Sequence, residues 1–257
     1  MTTNEKHIAI DEWLNFRRRI YVGKGHYRLE NNGVYETMTP IGNAKGVPEV
    51  FNMRLESLPD DKLHSVIQEI KAKDRTHHIC WTGIRSDRVH RAIFGEEYTP
   101  PTDDDLSGDV VGFMTPEDMP CYPDAPTDIV IMNVATWHDF ALWCDTYHDD
   151  FWLFTCEGHY PLVEEGKFIC FLAFIDGKPV ARTSILNDNS AAALDFDGIL
   201  PEYRNKGIDI ALSQHAIKHA FENGMKFIVS CAQPEGNPNH YDYLRMVALG
   251  FPIVPSV

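Results

Sequence analysis

No stretch of the sequence is apolar for long enough to cross a bilayer: the longest uninterrupted apolar run is Phe168 to Ile175, far short of the roughly 20 residues a spanning helix needs. The opening residues, Met1-Thr2-Thr3-Asn4-Glu5-Lys6, lack the apolar core of a secretory signal, so a cytoplasmic protein with no membrane partner is expected. The cysteines (Cys80, Cys121, Cys144, Cys156, Cys170, Cys231) form no CxxC pair, and several lie in apolar stretches where a thiol acts as a small hydrophobe. Neither a disulfide nor a metal site is expected. Positive charge is scarce, with 23 Lys and Arg against 38 Asp and Glu, for a formal charge of -15. Such a surface repels phosphate backbones and argues against nucleic acid as a partner. The strings GxSxG, GxGxxG and GxxxxGK[ST] are also missing, which removes support for hydrolase, dinucleotide and P-loop readings.

What is present suffices for a globular α/β protein. The chain has 257 residues and is 44% apolar, enough for one large domain or two ordinary ones. Trp13, Phe16 and Ile20 recur at helical spacing after Asp11. Residues 50–55 then read as a strand, and 59–72 as a helix with Leu63, Val66, Ile67 and Ile70 on one face. A strand at 79–82, a helix at 87–94 between Ser86 and Gly95, and a strand at 110–114 follow. Pro116, Pro120, Pro123 and Pro126 interrupt regular structure, which places a domain boundary near Thr127 and predicts lobes at 1–126 and 127–257.

In the second lobe, residues 128–134 read as a strand, and Thr136 with Asp139 opens a helix buried through Phe140, Trp143, Cys144 and Tyr147. Residues 168–175 and 179–186 flank Asp176-Gly177, a hairpin dipeptide. A strand at 191–200, a helix at 205–223, a strand at 226–231, a helix at 238–249 and a strand from Phe251 complete the chain. The order strand, helix, strand, helix, strand thus occurs in 50–114 and again in 191–257, as after a duplication. The helix starts differ. The first carries Asp60 and Asp61, which repel an anion, whereas the second carries Arg204, Lys206 and Gly207. A helix start offers unpaired N–H groups and partial positive charge, and a glycine lets a ligand approach them, so only the second is a candidate phosphate cradle.

The pattern Ile199-Leu-Pro-Glu-Tyr-Arg204-Asn-Lys-Gly207-Ile-Asp209, followed by a helix, a strand and Leu249-Gly250-Phe251, resembles the GCN5-related N-acetyltransferase (GNAT) superfamily over roughly residues 127–257. The N-terminal lobe looks like the degenerate first copy of tandem members. The resemblance implies two lobes, each a twisted mixed, mainly antiparallel sheet flanked by helices. It implies acetyl-CoA, or another acyl-CoA, in a gap between the strand ending at Leu200 and the strand at 226–231. Its arm would pair near Ile199, its pyrophosphate would meet N–H groups of Asn205, Lys206, Gly207, Ile208 and Asp209 with Arg204 adding positive charge, and Asn239 would lie beside it. The implied activity is acyl transfer to a primary amine of a small molecule or peptide, by direct attack.

Two residues depart from the family pattern. Asp209 stands where R/Q-x-x-G-x-G/A has a small residue, and Met246 stands where members commonly carry a tyrosine acid. A thioether donates no proton, so Tyr243, one turn earlier on the same face, is the substitute candidate, or else a core tyrosine. Ala193, Asp195 and Asp197 share a strand face by period two, which makes Asp195 and Asp197 the candidate bases, with attraction of a cationic substrate as the other role. Asp209 and Met246 together also support a rival reading, a catalytically disabled binding or regulatory module. His215 and His219, at i and i+4, lack the intervening glutamate of a zinc-protease helix and are expected to be solvated. Oligomeric state leaves no trace in this sequence.

Overall fold

The computed structural model describes residues 9–17, 27–41, 48–51, 53–79, 81, 86–96, 110–122, 125–126, 128–146, 156–188, 190–234 and 237–255. Two compact units divide it: Met1–Asp105 with Pro255–Val257, and Leu106–Val254. Among the described residues no helix is long and apolar enough to cross a membrane.

The first unit holds helix α1 (residues 9–17) and a four-stranded sheet in the order β1-β2-β3-β4. β1 (Tyr27–Asn31) and β2 (Glu36–Pro40) form an antiparallel hairpin, β3 (Glu49–Phe51) pairs antiparallel with β2, and β4 (His78–Ile79) pairs parallel with β3. Between β3 and β4 runs α2 (Asp60–Lys71), which buries Leu63, Ile67 and Ile70 against Val50 and Leu55. This is the stripe the periodicity predicts. α3 (Asp87–Phe94) closes the same core through Val89 and Ile93. Arg88 reaches the Asp60 carboxylate at the start of α2 and donates to the carbonyls of Glu56 and Leu58, so that helix start is occupied by the protein itself.

The second unit is built on a seven-stranded mixed sheet in the order β11-β5-β10-β9-β8-β7-β6. Its strands are β5 (Val110–Met114), β6 (Val130–Asn133), β7 (Phe168–Ile175), β8 (Lys178–Asp188), β9 (Ala191–Ile199), β10 (Phe227–Ala232) and β11 (Ile253–Pro255). Asp176 and Gly177, at φ 50 and 76, make the tight turn between β7 and β8. One face carries α4 (Trp137–Thr146), whose Phe140 and Trp143 pack edge-on against Phe168, and α5 (Cys156–Glu164) lies beside α4. The Thr136 hydroxyl and the Asp139 carboxylate cap α4 reciprocally, at 2.7 Å to each other and 3.1 and 3.0 Å to each other's amide. The other face is covered by α6 (Ile208–Glu222) and α7 (Tyr241–Ala248), with Leu212, Ala216, Met246 and Leu249 in one buried cluster with Ala181, Ile185 and Leu194.

Two expectations change here. The strand at 110–114 does not close the first copy of the repeat; it pairs antiparallel with β10, inside the second sheet. All of its residues are buried, as an interior strand covered on both faces requires, and Gly112 is there because a Cβ would meet Met246 and Phe251 at 2.8 and 2.7 Å. Accordingly the units part at Asp105 and Leu106 and not near Thr127. The proline-rich segment belongs to the second unit: the Pro120 ring lies where a Cβ on Gly250 would fall, and the Tyr122 hydroxyl donates to the Leu249 carbonyl at 2.9 Å. Prolines here stiffen a packed surface segment and do not make a linker.

Burial pushes the Tyr122 phenol up to about 12 from its usual 10. A raised phenol keeps its proton in the folded chain after the unfolded chain has lost it, so this contribution is complete below about pH 10 and fades towards about pH 12. Urea midpoints on either side of that window should therefore fall further for the natural chain than for Tyr122→Phe; equal losses would show the phenol to be solvated.

Candidate functional site

β9 and β10 run parallel, but they pair only at Ala191, Ala192 and Ala193 with Phe227, Ile228 and Val229. Beyond that point β9 stays bonded to β8 on its far side, and β10 to β5. The strands part, and the facing edges of residues 195–199 and 230–232 have no strand between them. Unpaired strand edges are costly to bury and accept an added extended chain. Ile199, at the end of the β9 edge, is 2% exposed and directs its side chain into the α6 core.

From Ile199 the chain passes a short 3-10 turn (Pro201–Tyr203) and enters α6. Asn205 and Gly207 are both left-handed, at φ 61 and 75. A left-handed glycine followed directly by Ile208 turns the chain sharply into the helix, and no side chain caps the start. Among the described residues the amides of Lys206, Gly207, Ile208 and Asp209 find no acceptor. Apart from its chain neighbours, none of the described residues lies within 4 Å of where a Gly207 Cβ would be, so the cradle is open above the backbone on that side. Arg204, Asn205, Lys206 and Gly207 are all exposed, and the Lys206 ammonium sits 5.0 Å from the centre of the Tyr203 ring. These features suit a doubly charged anion.

The Asp209 carboxylate does not occupy that cradle. It accepts the hydroxyl of Tyr241, the first residue of α7, so the starts of α6 and α7 are joined at this point. Burial first, and then the Asp209 hydrogen bond and charge, push the Tyr241 phenol far above its usual value, so it remains the donor. Tyr241 carried no signal in the sequence, because its partner lies 32 residues away on another helix.

The shared face of Asp195 and Asp197 is corrected by a β-bulge. Arg182 of β8 faces Gly198, whereas Ser184 faces Asp195, so Thr183 alone stands opposite Phe196 and Asp197. The extra residue reverses the alternation. Asp195, half-buried, pairs with Ser184 on the α4 side, and Asp197 turns to the α6 and α7 side. There Asp197 accepts the Thr183 hydroxyl, lies 3.4 Å from the Ser213 hydroxyl of α6, and forms a 2.5 Å ion pair with Arg245 of α7. The side chains of this pair are 4% and 11% exposed for Arg245 and Asp197. Burial works against the Arg245 charge, but Asp197 and, after it, Asp242 outweigh it and keep the guanidinium protonated. Sequence reasoning missed Arg245 altogether.

Met246 is fully buried in the core cluster, and Tyr243 is half-buried against the same cluster one turn earlier, as the helical spacing predicts. Asn239 is exposed in the turn before α7, which begins at Tyr241, three residues later than expected. His215 and His219 are half-buried; both stand edge-on to Phe171 of β7, at 5.4 and 5.3 Å, and burial pushes His215 below its usual value. Among the described residues no cluster of His, Cys, Asp or Glu could hold a metal ion.

Residues 130–248 match the family described as Acetyltransferase (GNAT) family. In structure the chain is similar to a GCN5-related N-acetyltransferase from Kribbella flavida, with TM-score 0.55 and 15% identity over 96% of this chain and 93% of that one. It is similar to a tandem GNAT protein from the clavulanic acid biosynthesis pathway, with TM-score 0.57 and 13% identity over 88% and 80%. A functionally unknown conserved protein from Staphylococcus epidermidis gives TM-score 0.50 and 11% identity over 93% and 94%. At these identities the likeness is one of fold. No curated protein matches in sequence.

Proposed function

Because residues 130–248 match the acetyltransferase (GNAT) family, we propose that the chain is an acyl-CoA-dependent N-acyltransferase that acts on a primary amine. The observation that carries this reading is the opening of β9 away from β10, with the uncapped, glycine-led start of α6 at its end. The donor set fits the ligand: backbone edges for an extended amide-bearing arm, and the free amides of Lys206 to Asp209 for a diphosphate. Arg204 and Lys206 add positive charge at the exposed rim. Asn205 and Asn239 are exposed at the two turns that lead into α6 and α7 and would contact the polar portion of the ligand.

Acyl-CoA supplies an activated thioester; the chain's residues supply orientation and proton transfers. Asp195, on the strand edge and outside the Arg245 pair, takes the proton that the amine loses as its nitrogen bonds to the acyl carbon. Tyr243 hands its proton to the sulfur as the carbon–sulfur bond breaks, because Met246 has none to give. Asp197, paired with Arg245, anchors the bulge that separates the two roles.

Calorimetric titration with acetyl-CoA tests the reading, and a saturable heat near one site per chain is expected. Tyr243→Phe should then bind acetyl-CoA normally and lower kcat by about 100-fold or more, the usual contribution of a positioned acid. Unchanged turnover would remove Tyr243 from the mechanism. A second reading, a binding module with a disabled cofactor site, is favoured by buried Met246, which has no proton to give, and by the negative charge that Asp209 keeps in the first turn of α6. It predicts that the natural chain gives no heat with acetyl-CoA and that Asp209→Gly creates binding.

A further inference from the structure

On the side of the β9–β10 gap covered by α6 and α7, a few polar side chains are buried within the apolar cluster. Asp197 lies on the stretch of β9 that has left β10, and Ser230 lies on the stretch of β10 that has left β9. Ser230 faces Gly112 across the ladder, and Gly112 looks onto Met246 and Phe251, so Ser230 points to the α7 side as Asp197 does. Both Ser230 and Arg245 are buried, at 1% and 5% exposure. Two of their donors, the Ser230 hydroxyl and the Arg245 Nε–H, have no hydrogen-bond partner among the described residues. Buried donors are rarely left so, and two on one side of a gap are available to an acceptor oxygen of a bound molecule.

Charge decides which oxygen. The guanidinium of Arg245 is already balanced by Asp197 at 2.5 Å, with the Ser213 and Thr183 hydroxyls completing the group. A second carboxylate there would place two buried negative charges on one guanidinium, and a surplus buried charge is heavily penalised. An uncharged carbonyl oxygen satisfies the open donors without that penalty. We propose that Asp197 is a specificity-determining residue: by neutralising Arg245 beside the gap it admits uncharged acyl groups and rejects acyl groups that end in a carboxylate. This rests on the acyltransferase reading and adds to it the class of acyl group.

The full chain should be titrated with acetyl-CoA and with succinyl-CoA. The natural chain is expected to bind acetyl-CoA at least about tenfold more tightly, and Asp197→Asn, which removes the guanidinium's nearest countercharge, should shift the ratio towards succinyl-CoA by about tenfold or more. Should Asp197→Asn fold poorly, the natural ratio and Ser230→Ala still decide the matter, the latter weakening acetyl-CoA binding by about five- to tenfold. Equal affinities in the natural chain, a ratio unmoved by Asp197→Asn, or full acetyl-CoA affinity in Ser230→Ala would each overturn the inference while the transferase reading stands. Binding of neither ester by the natural chain would overturn both.

Discussion

Arg245→Met should cost about 3–5 kcal/mol of folding stability, the usual effect of removing one member of a buried ion pair. The loss comes less from the missing attraction than from what stays behind. The Asp197 carboxylate, 11% exposed, would keep only the hydroxyls of Thr183 and Ser213. A carboxylate that folding strips of water without a countercharge disfavours the folded state. Pairing Arg245→Met with Asp197→Leu removes the stranded charge as well, so the double variant should regain much of the loss and a thermodynamic cycle should return a large coupling. Urea melts of the four proteins measure it, and single variants that simply add would mean the two side chains do not meet in solution.

Gly207→Val should lower acetyl-CoA affinity by about ten- to hundredfold, the equivalent of one lost charge-assisted hydrogen bond. Two causes act together. At φ 75 a β-branched residue is strained, by about 1–2 kcal/mol, so the left-handed step into α6 would relax and redirect the amides that follow it. A side chain would also fill space that none of the described residues beyond the chain neighbours enters within 4 Å of the Cβ position. Gly207→Asn separates them, since asparagine tolerates the left-handed region but still fills the space. An affinity drop shared by Val and Asn assigns the effect to occupancy, and a drop confined to Val assigns it to backbone strain. Full affinity in both variants would remove the α6 start from the binding site.

Much of the fold was legible where local chemistry decides structure. The Asp176-Gly177 hairpin, the Thr136 and Asp139 cap, the 87–94 helix and the β9-α6-β10 succession all rest on short-range signals, and all stand in the structure. The β1–β2 hairpin was missed because Tyr27–Asn31 is mostly polar and mostly exposed, so it shows no alternation. α5 was missed because Pro161 lies inside it, and a proline within a pattern reads as a break. The site divides in the same way. The loop at Arg204 to Gly207 is contiguous and readable; the Asp197 pair with Arg245 depends on a one-residue bulge, which period-two counting cannot anticipate. Tyr241 on Asp209 and the open hydroxyl of Ser230 depend on tertiary packing alone.

The insertion of β5 between β10 and β11 also dictates an order of assembly. Val110 has to find Ala232, so the strand made early cannot take its place until most of the chain has left the ribosome. Until then an unbroken apolar stretch, Val-Val-Gly-Phe-Met, waits with both faces bare. Such a long-range closure is slow, because the loop entropy is spent before any contact repays it. During that wait this stretch is open to capture by another copy of the chain or by a chaperone.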